Sequence, residues 1–142
     1  MRRLPPLMSE HPLAVQILLV GVVPAVYGAI TGWFLGINEA VYLVLSIVGI
    51  VGGVAAGFDH FGAKAGARRG IAAGSIFGAS ILIAHEIQGG DAKADLPDPG
   101  ILLIVVTTVL AVGFAAVGGW ARARAERNAD SHSAPDIPGP LG

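Results

Sequence analysis

The sequence predicts an all-α fold, a polytopic membrane protein with four transmembrane helices in a compact antiparallel bundle. Three observations predict it. The 142 residues are 54% hydrophobic and only 13% charged, against about 25% charged in an ordinary soluble domain. Four apolar stretches approach or exceed the roughly 20 residues that a helix needs to cross a bilayer core about 30 Å thick. Glycine reaches 21 residues and is ordered rather than scattered.

The same composition excludes other classes. A disordered chain needs low hydrophobicity and high net charge. A disulfide scaffold, a Cys-ligated zinc site and thiol catalysis need cysteine, and there is none. A net charge of −1 gives no electrostatic case for nucleic acid as a partner. The expected partner is the lipid bilayer.

The first helix is expected at about residues 12–35, with Gln16 and Thr31 as its clearly polar residues. Pro24 lies in its middle and predicts a kink, because it lacks an N–H and crowds the preceding turn. The second helix is expected at about 40–58, with Ser46 and the Tyr42 hydroxyl as its polar groups. The third is expected at about 61–87. Its uncharged part, Gly70 to Ala84, is short for a span, so its start near Phe61 or near Gly70 is open at this level. The fourth is expected at about 100–122, with Thr107 and Thr108 as the polar residues of its apolar run. Residues 1–127 then form one four-helix domain. Residues 128–142, which hold Pro135, Pro138, Gly139 and Pro140, are expected to be a disordered cytoplasmic tail. The first apolar stretch is too long for the 7–15-residue core of a cleaved signal peptide. The connections are short, which predicts that sequential helices are antiparallel neighbours.

Charge predicts orientation. Arg2, Arg3, Lys64, Arg68, Arg69, Arg122, Arg124 and Arg127 fall on one expected side and Lys93 on the other. By the positive-inside rule both termini are cytoplasmic. Glu39, Asp91, Asp95 and Asp98 fall outside, and Trp33 and Trp120 lie near the two interfaces. The location is therefore the cell (plasma or inner) membrane. The preference for Arg over Lys, seven to two, fits a GC-rich bacterial genome.

Glycine spacing predicts packing. Gly62, Gly66, Gly70, Gly74 and Gly78 recur every fourth residue, and Gly49, Gly53 and Gly57 repeat the spacing in the second helix. Small residues at this interval let helix backbones approach closely in lipid, where the hydrophobic effect does not drive helices together. The expectation is a glycine-zipper contact, with helices two and three packed tightly in one chain. A ladder between the subunits of a homo-oligomer is the alternative. Asp59 is expected to cap the third helix near its start. Lys64, Arg68 and Arg69 are then expected on a solvent-facing or headgroup-facing surface.

Chemistry is sparse. No ionisable residue falls in the middle of the four stretches, which argues against a proton-coupled transporter. Two acid–histidine pairs, Asp59-His60 and His85-Glu86, close the second and third helices. They mark helix ends or, alternatively, a proton-sensitive pore mouth. The pairs lie on opposite membrane faces and so cannot form one metal site. The acidic stretch Asp91 to Asp98 does not match a calcium loop, and no phosphate loop, zinc-protease helix or nucleophile elbow occurs. Neither a cofactor nor enzymatic activity is expected. Arg122, Arg124 and Arg127 are positioned to meet anionic headgroups. The function so predicted is a small membrane protein of structural, assembly or accessory type. The alternative is a homo-oligomeric channel or small-solute pore, with Ser75 and Ser80, or Thr107 and Thr108, as polar lining.

Overall fold

The computed structural model describes residues 7–133. Arg2, Arg3 and the tail from residue 134 onward, with its prolines, lie outside the described residues. Four helices dominate: α1 (Leu13–Leu35), α2 (Glu39–Phe58), α3 (Ala63–Gln88) and α4 (Ile101–Ser133). Each contains a window long and apolar enough to cross a membrane. No strand occurs among the described residues. A short 3-10 turn, Met8–Glu10, precedes α1 and docks on the end of α2, where the Met8 N–H donates to the Asp59 carbonyl at 2.8 Å.

The local chemistry sets the ends. Asn38 caps α2, its side-chain oxygen accepting the Val41 N–H at 3.1 Å. Gly62 (φ +89°) precedes α3 and Gly89 (φ +71°) ends it, both in backbone conformations that suit glycine. So α3 begins at Ala63, and Asp59 closes α2 instead of capping α3. A carboxylate cap would need to sit next to the helix start, and three residues of turn intervene. Helix α4 runs on to Ser133, past the expected boundary at 128. Ala, Arg and Glu in Ala121–Glu126 are good helix formers, so nothing there stops it.

The order of packing differs from the expected one. The most extensive contacts join α3 to α4, then α1 to α3, then α2 to α4; α2 and α3 touch only lightly. Matching small surfaces decide this more than sequence adjacency. A Cβ added at Gly66 would meet Ala115, at Gly70 Ala111 and Val112, at Gly74 Thr108, and at Gly78 Ile104 and Thr107. Numbers rise on one helix as they fall on the other, so α3 and α4 run antiparallel. On α1, Gly28 lies against Phe77 and Ser80, Gly32 against Ile81 and Gly36 against Gln88, so α1 and α3 run parallel. Gly57 and Gly118 bring α2 onto α4, against Ala115 and against Val54 and Phe58 respectively.

Burial is inverted relative to a water-soluble bundle. Large apolar side chains such as Leu43, Ile47, Val51, Ile83, Val105, Val109 and Val117 face outward. Buried positions include Gly28, Gly32, Gly66, Gly70, Gly74, Gly78, Ala115 and Thr107. One cluster of larger side chains, Leu35, Tyr42, Ile81, Ala94 and Leu103, closes the end that carries the α3–α4 connection.

Candidate functional site

The α3–α4 seam holds three hydroxyl side chains, Ser75, Thr107 and Thr108. Thr107 Oγ1 donates to the Gly74 carbonyl at 3.1 Å, and it also lies within reach of its own helix at Leu103. Ser75 Oγ and Thr108 Oγ1 are 3.0 Å apart. These hydroxyls are engaged inside the seam.

A second feature begins at Pro24. The Val23 N–H donates to the Leu18 carbonyl, one residue further back than in an α-helix, so Leu18–Val22 is a π turn. The next amide in that register would come from residue 24, which is proline and has no N–H. The Leu19 carbonyl is thereby released. Arg69 Nη2, from α3, donates to it at 2.6 Å. The expected kink is thus realised as a π turn, and it is tied to a side chain fifty positions away.

Arg69 is only 8% exposed, whereas Lys64 and Arg68 are exposed. The expected surface position of Arg69 is therefore corrected. About 100° per residue turns it away from Arg68 and onto the Gly66 side of α3. Its Nε and Nη1 are buried without a hydrogen-bond partner. Asp59 is the carboxylate whose charge acts on it, yet Arg69 forms no ion pair among the described residues. Arg122, also buried (5% exposed), makes the contrast: it pairs with Glu126 one turn on, and its guanidinium sits over the Phe58 ring at 5.7 Å. Arg124 remains at the surface over Trp120.

Beside Arg69 lies a cavity of about 290 Å³, to which all four helices contribute. Among the described residues Arg69 is the one charged residue that lines it; Tyr27, Phe77, Ala73 and Ala111 form apolar wall. The Tyr27 hydroxyl is engaged, donating to the Leu45 carbonyl at 2.8 Å. Val23, Val48 and Gly52 line the cavity and are also exposed, so its mouth opens sideways between α1 and α2.

The residues singled out from the sequence distribute as follows. Gly66, Gly70, Gly74 and Gly78 lie in the α3–α4 seam. Gly62 does not extend their row, because it precedes the helix; it meets α4 through its backbone, its N–H donating to the Gly119 carbonyl at 3.1 Å. Gly57 lies against Ala115, Gly49 faces the Tyr27 and Phe77 rings, and Gly53 lies near Phe114. The two expected ladders therefore do not face one another. His60 Nδ1 lies 3.2 Å from the Ala56 carbonyl of its own helix. His85 is half-buried with Nδ1 lacking a partner, and Glu86 is exposed. Along α3, about 1.5 Å per residue separates the Asp59-His60 end from the His85-Glu86 end by about 33 Å. Among the described residues no three His, Asp or Glu side chains gather as a metal site.

Sequence reasoning missed Arg69, the rows Gly28-Gly32-Gly36 and Thr107-Ala111-Ala115-Gly119, and the cavity. Both rows are legible as four-residue spacing, the first in glycine alone and the second once Thr and Ala count as small residues beside Gly. The chain matches no family model, no curated protein and no solved structure in the comparisons made.

Proposed function

We propose that the chain is a multi-pass protein of the cell (plasma or inner) membrane, a compact bundle with both termini cytoplasmic, serving a structural, assembly or accessory role without catalysis of its own. The observation that carries the membrane reading is the inverted burial: Leu, Ile and Val face out while Gly, Ala and Thr are packed inside. Soluble monomers rarely expose contiguous apolar patches beyond a few hundred Å². The charge asymmetry supports the orientation. Lys64, Arg68, Arg122, Arg124 and Arg127 belong to the end where Gly62 meets Gly119, while Lys93 is bonded through its N–H to Leu35 at the other.

We read the α3–α4 seam as a glycine zipper internal to the subunit. The hydroxyls that would line a conduit, Ser75, Thr107 and Thr108, hydrogen-bond within that seam, and this favours the accessory role over a pore. Two measurements test the reading. Cysteines introduced at Asp95 and Arg124 are expected to label from opposite sides of intact cells; labelling from one side overturns the topology. Native mass spectrometry in nanodiscs is expected to give a subunit without ion or solute flux in liposomes; a defined ring that conducts replaces this reading with the homo-oligomeric pore.

A further inference from the structure

A purely structural account of Arg69 ends at the Leu19 carbonyl and leaves its Nε and Nη1, and the cavity beside them, without a role. We infer that they form a binding site for a single-chain anionic amphiphile, its carboxylate or phosphate headgroup held by Arg69 and its hydrocarbon chain in the cavity, entering from the lipid phase between α1 and α2. This rests on the membrane reading, because the mouth must open onto lipid.

Four observations converge on it. The first is charge. Burying a guanidinium is costly unless it is paired. Arg122 has Glu126 for this, whereas Arg69 has a single carbonyl, with Nε and Nη1 unsatisfied. Asp59 acts on it only through space, so among the described residues no anion contacts it. A planar guanidinium with two free donors suits an oxyanion.

The second is shape. The cavity, at about 290 Å³, falls at the small end of ligand sites, which run from about 300 to 1,000 Å³. Its walls apart from Arg69 are apolar or carry hydroxyls already bonded, as at Tyr27 and Thr107. They suit a hydrocarbon chain and offer nothing to a sugar or nucleotide.

The third is depth. Arg69 stands six residues into α3, about 9 Å along a helix about 39 Å long; a hydrocarbon core about 30 Å thick centred on that helix puts it about 4 to 5 Å inside the boundary. A headgroup drawn slightly below the interface reaches that level with its chain pointing inward.

The fourth is access. Val23, Val48 and Gly52 are both exposed and cavity-lining, so the mouth lies on the outward flank. The π turn that Arg69 braces ends at Val22, next to that rim.

The test uses the full chain in nanodiscs of zwitterionic lipid. The probes are dodecanoate, dodecyl phosphate, the neutral isostere dodecanol, acetate and inorganic phosphate, with native mass spectrometry and competition against a fluorescent fatty acid as readouts. Dodecanoate or dodecyl phosphate is expected to bind saturably at one site. Dodecanol, and the anion with R69Q, are expected to bind about tenfold or more weakly, the scale of one charge-assisted hydrogen bond. Gly52→Leu fills the mouth at a position where an added Cβ meets nothing within 4 Å; it is expected to keep the fold and lose binding, which keeps the test decisive should R69Q fail to fold. Equal binding of dodecanol and dodecanoate overturns the role of Arg69. Saturable binding of inorganic phosphate or acetate that dodecanoate does not displace overturns the lipid source. A chain that inserts with the expected topology and binds none of these sinks this inference alone, whereas failure to insert sinks the membrane reading.

Discussion

The α3–α4 seam and the α1–α2 flank are two contacts of the same bundle built on opposite terms. In the seam, glycines lie directly on the neighbouring backbone: a Cβ at Gly74 would stand 2.7 Å from Thr108 Cα, and one at Gly70 would stand 2.6 Å from Val112 Cα. On the flank, Gly52 has nothing within 4 Å, and the link between the helices is the Tyr27 hydroxyl on the Leu45 carbonyl. The difference teaches where this protein spends its glycines. Those in the seam bring backbones together, and Gly52 leaves room.

The sharpest way to break the comparison is to substitute the seam. Gly74→Leu is expected to abolish the native fold or cost about 3 kcal/mol or more, since the obstructing atoms are backbone and cannot swing aside. Gly113→Leu, on the partner helix α4 but with nothing within 4 Å, is expected to stay within about 0.5 kcal/mol. Reversible unfolding in mixed micelles measures both, and equal losses would refute the seam. Thr107→Val comes next. It removes the bond to the Gly74 carbonyl and is expected to cost about 0.6 to 1.7 kcal/mol, the range for hydroxyls between membrane helices. Tyr27→Phe is expected to cost about 0.5 to 1.5 kcal/mol, together with a larger spin-label distance spread between α1 and α2; an unchanged spread would mean that packing alone holds the flank. The smallest effect is expected for Gly52→Ala, which on the same unfolding measurement is expected to be neutral within about 0.5 kcal/mol or slightly stabilising because alanine favours helix.

The two regions were unequally legible in the sequence. Hydropathy over about 20 residues locates spans, and the four observed helices start and end close to the expected positions, except that α4 runs on to Ser133. Partner choice was not legible. Counting glycines alone put α3 against α2, because its true partner presents Thr107, Ala111 and Ala115 and only then Gly119. From the sequence Arg69 is expected on the surface with Lys64 and Arg68, since hydropathy averages over a window and cannot tell which side of a helix a residue occupies. Its inward direction follows from one-residue geometry, 100° from Arg68, and from a carbonyl freed by a proline on another helix. The histidines were legible as end residues. The π turn was legible only as a kink at Pro24.

The seam has a thermodynamic character of its own. Glycine and alanine have no rotamers to lose, and side-chain ordering costs up to about 1.5 to 2 kcal/mol for long flexible residues. Gly66, Gly70, Gly74, Ala111 and Ala115 therefore associate almost free of side-chain entropy loss. The same property removes any means of adjustment. Glycine and alanine contacts have no rotamers through which to adjust, so this stretch of α3 and α4 forms a stiff frame, and any give that the bundle needs to admit a guest falls to Val23, Tyr27 and Val48 on the opposite flank.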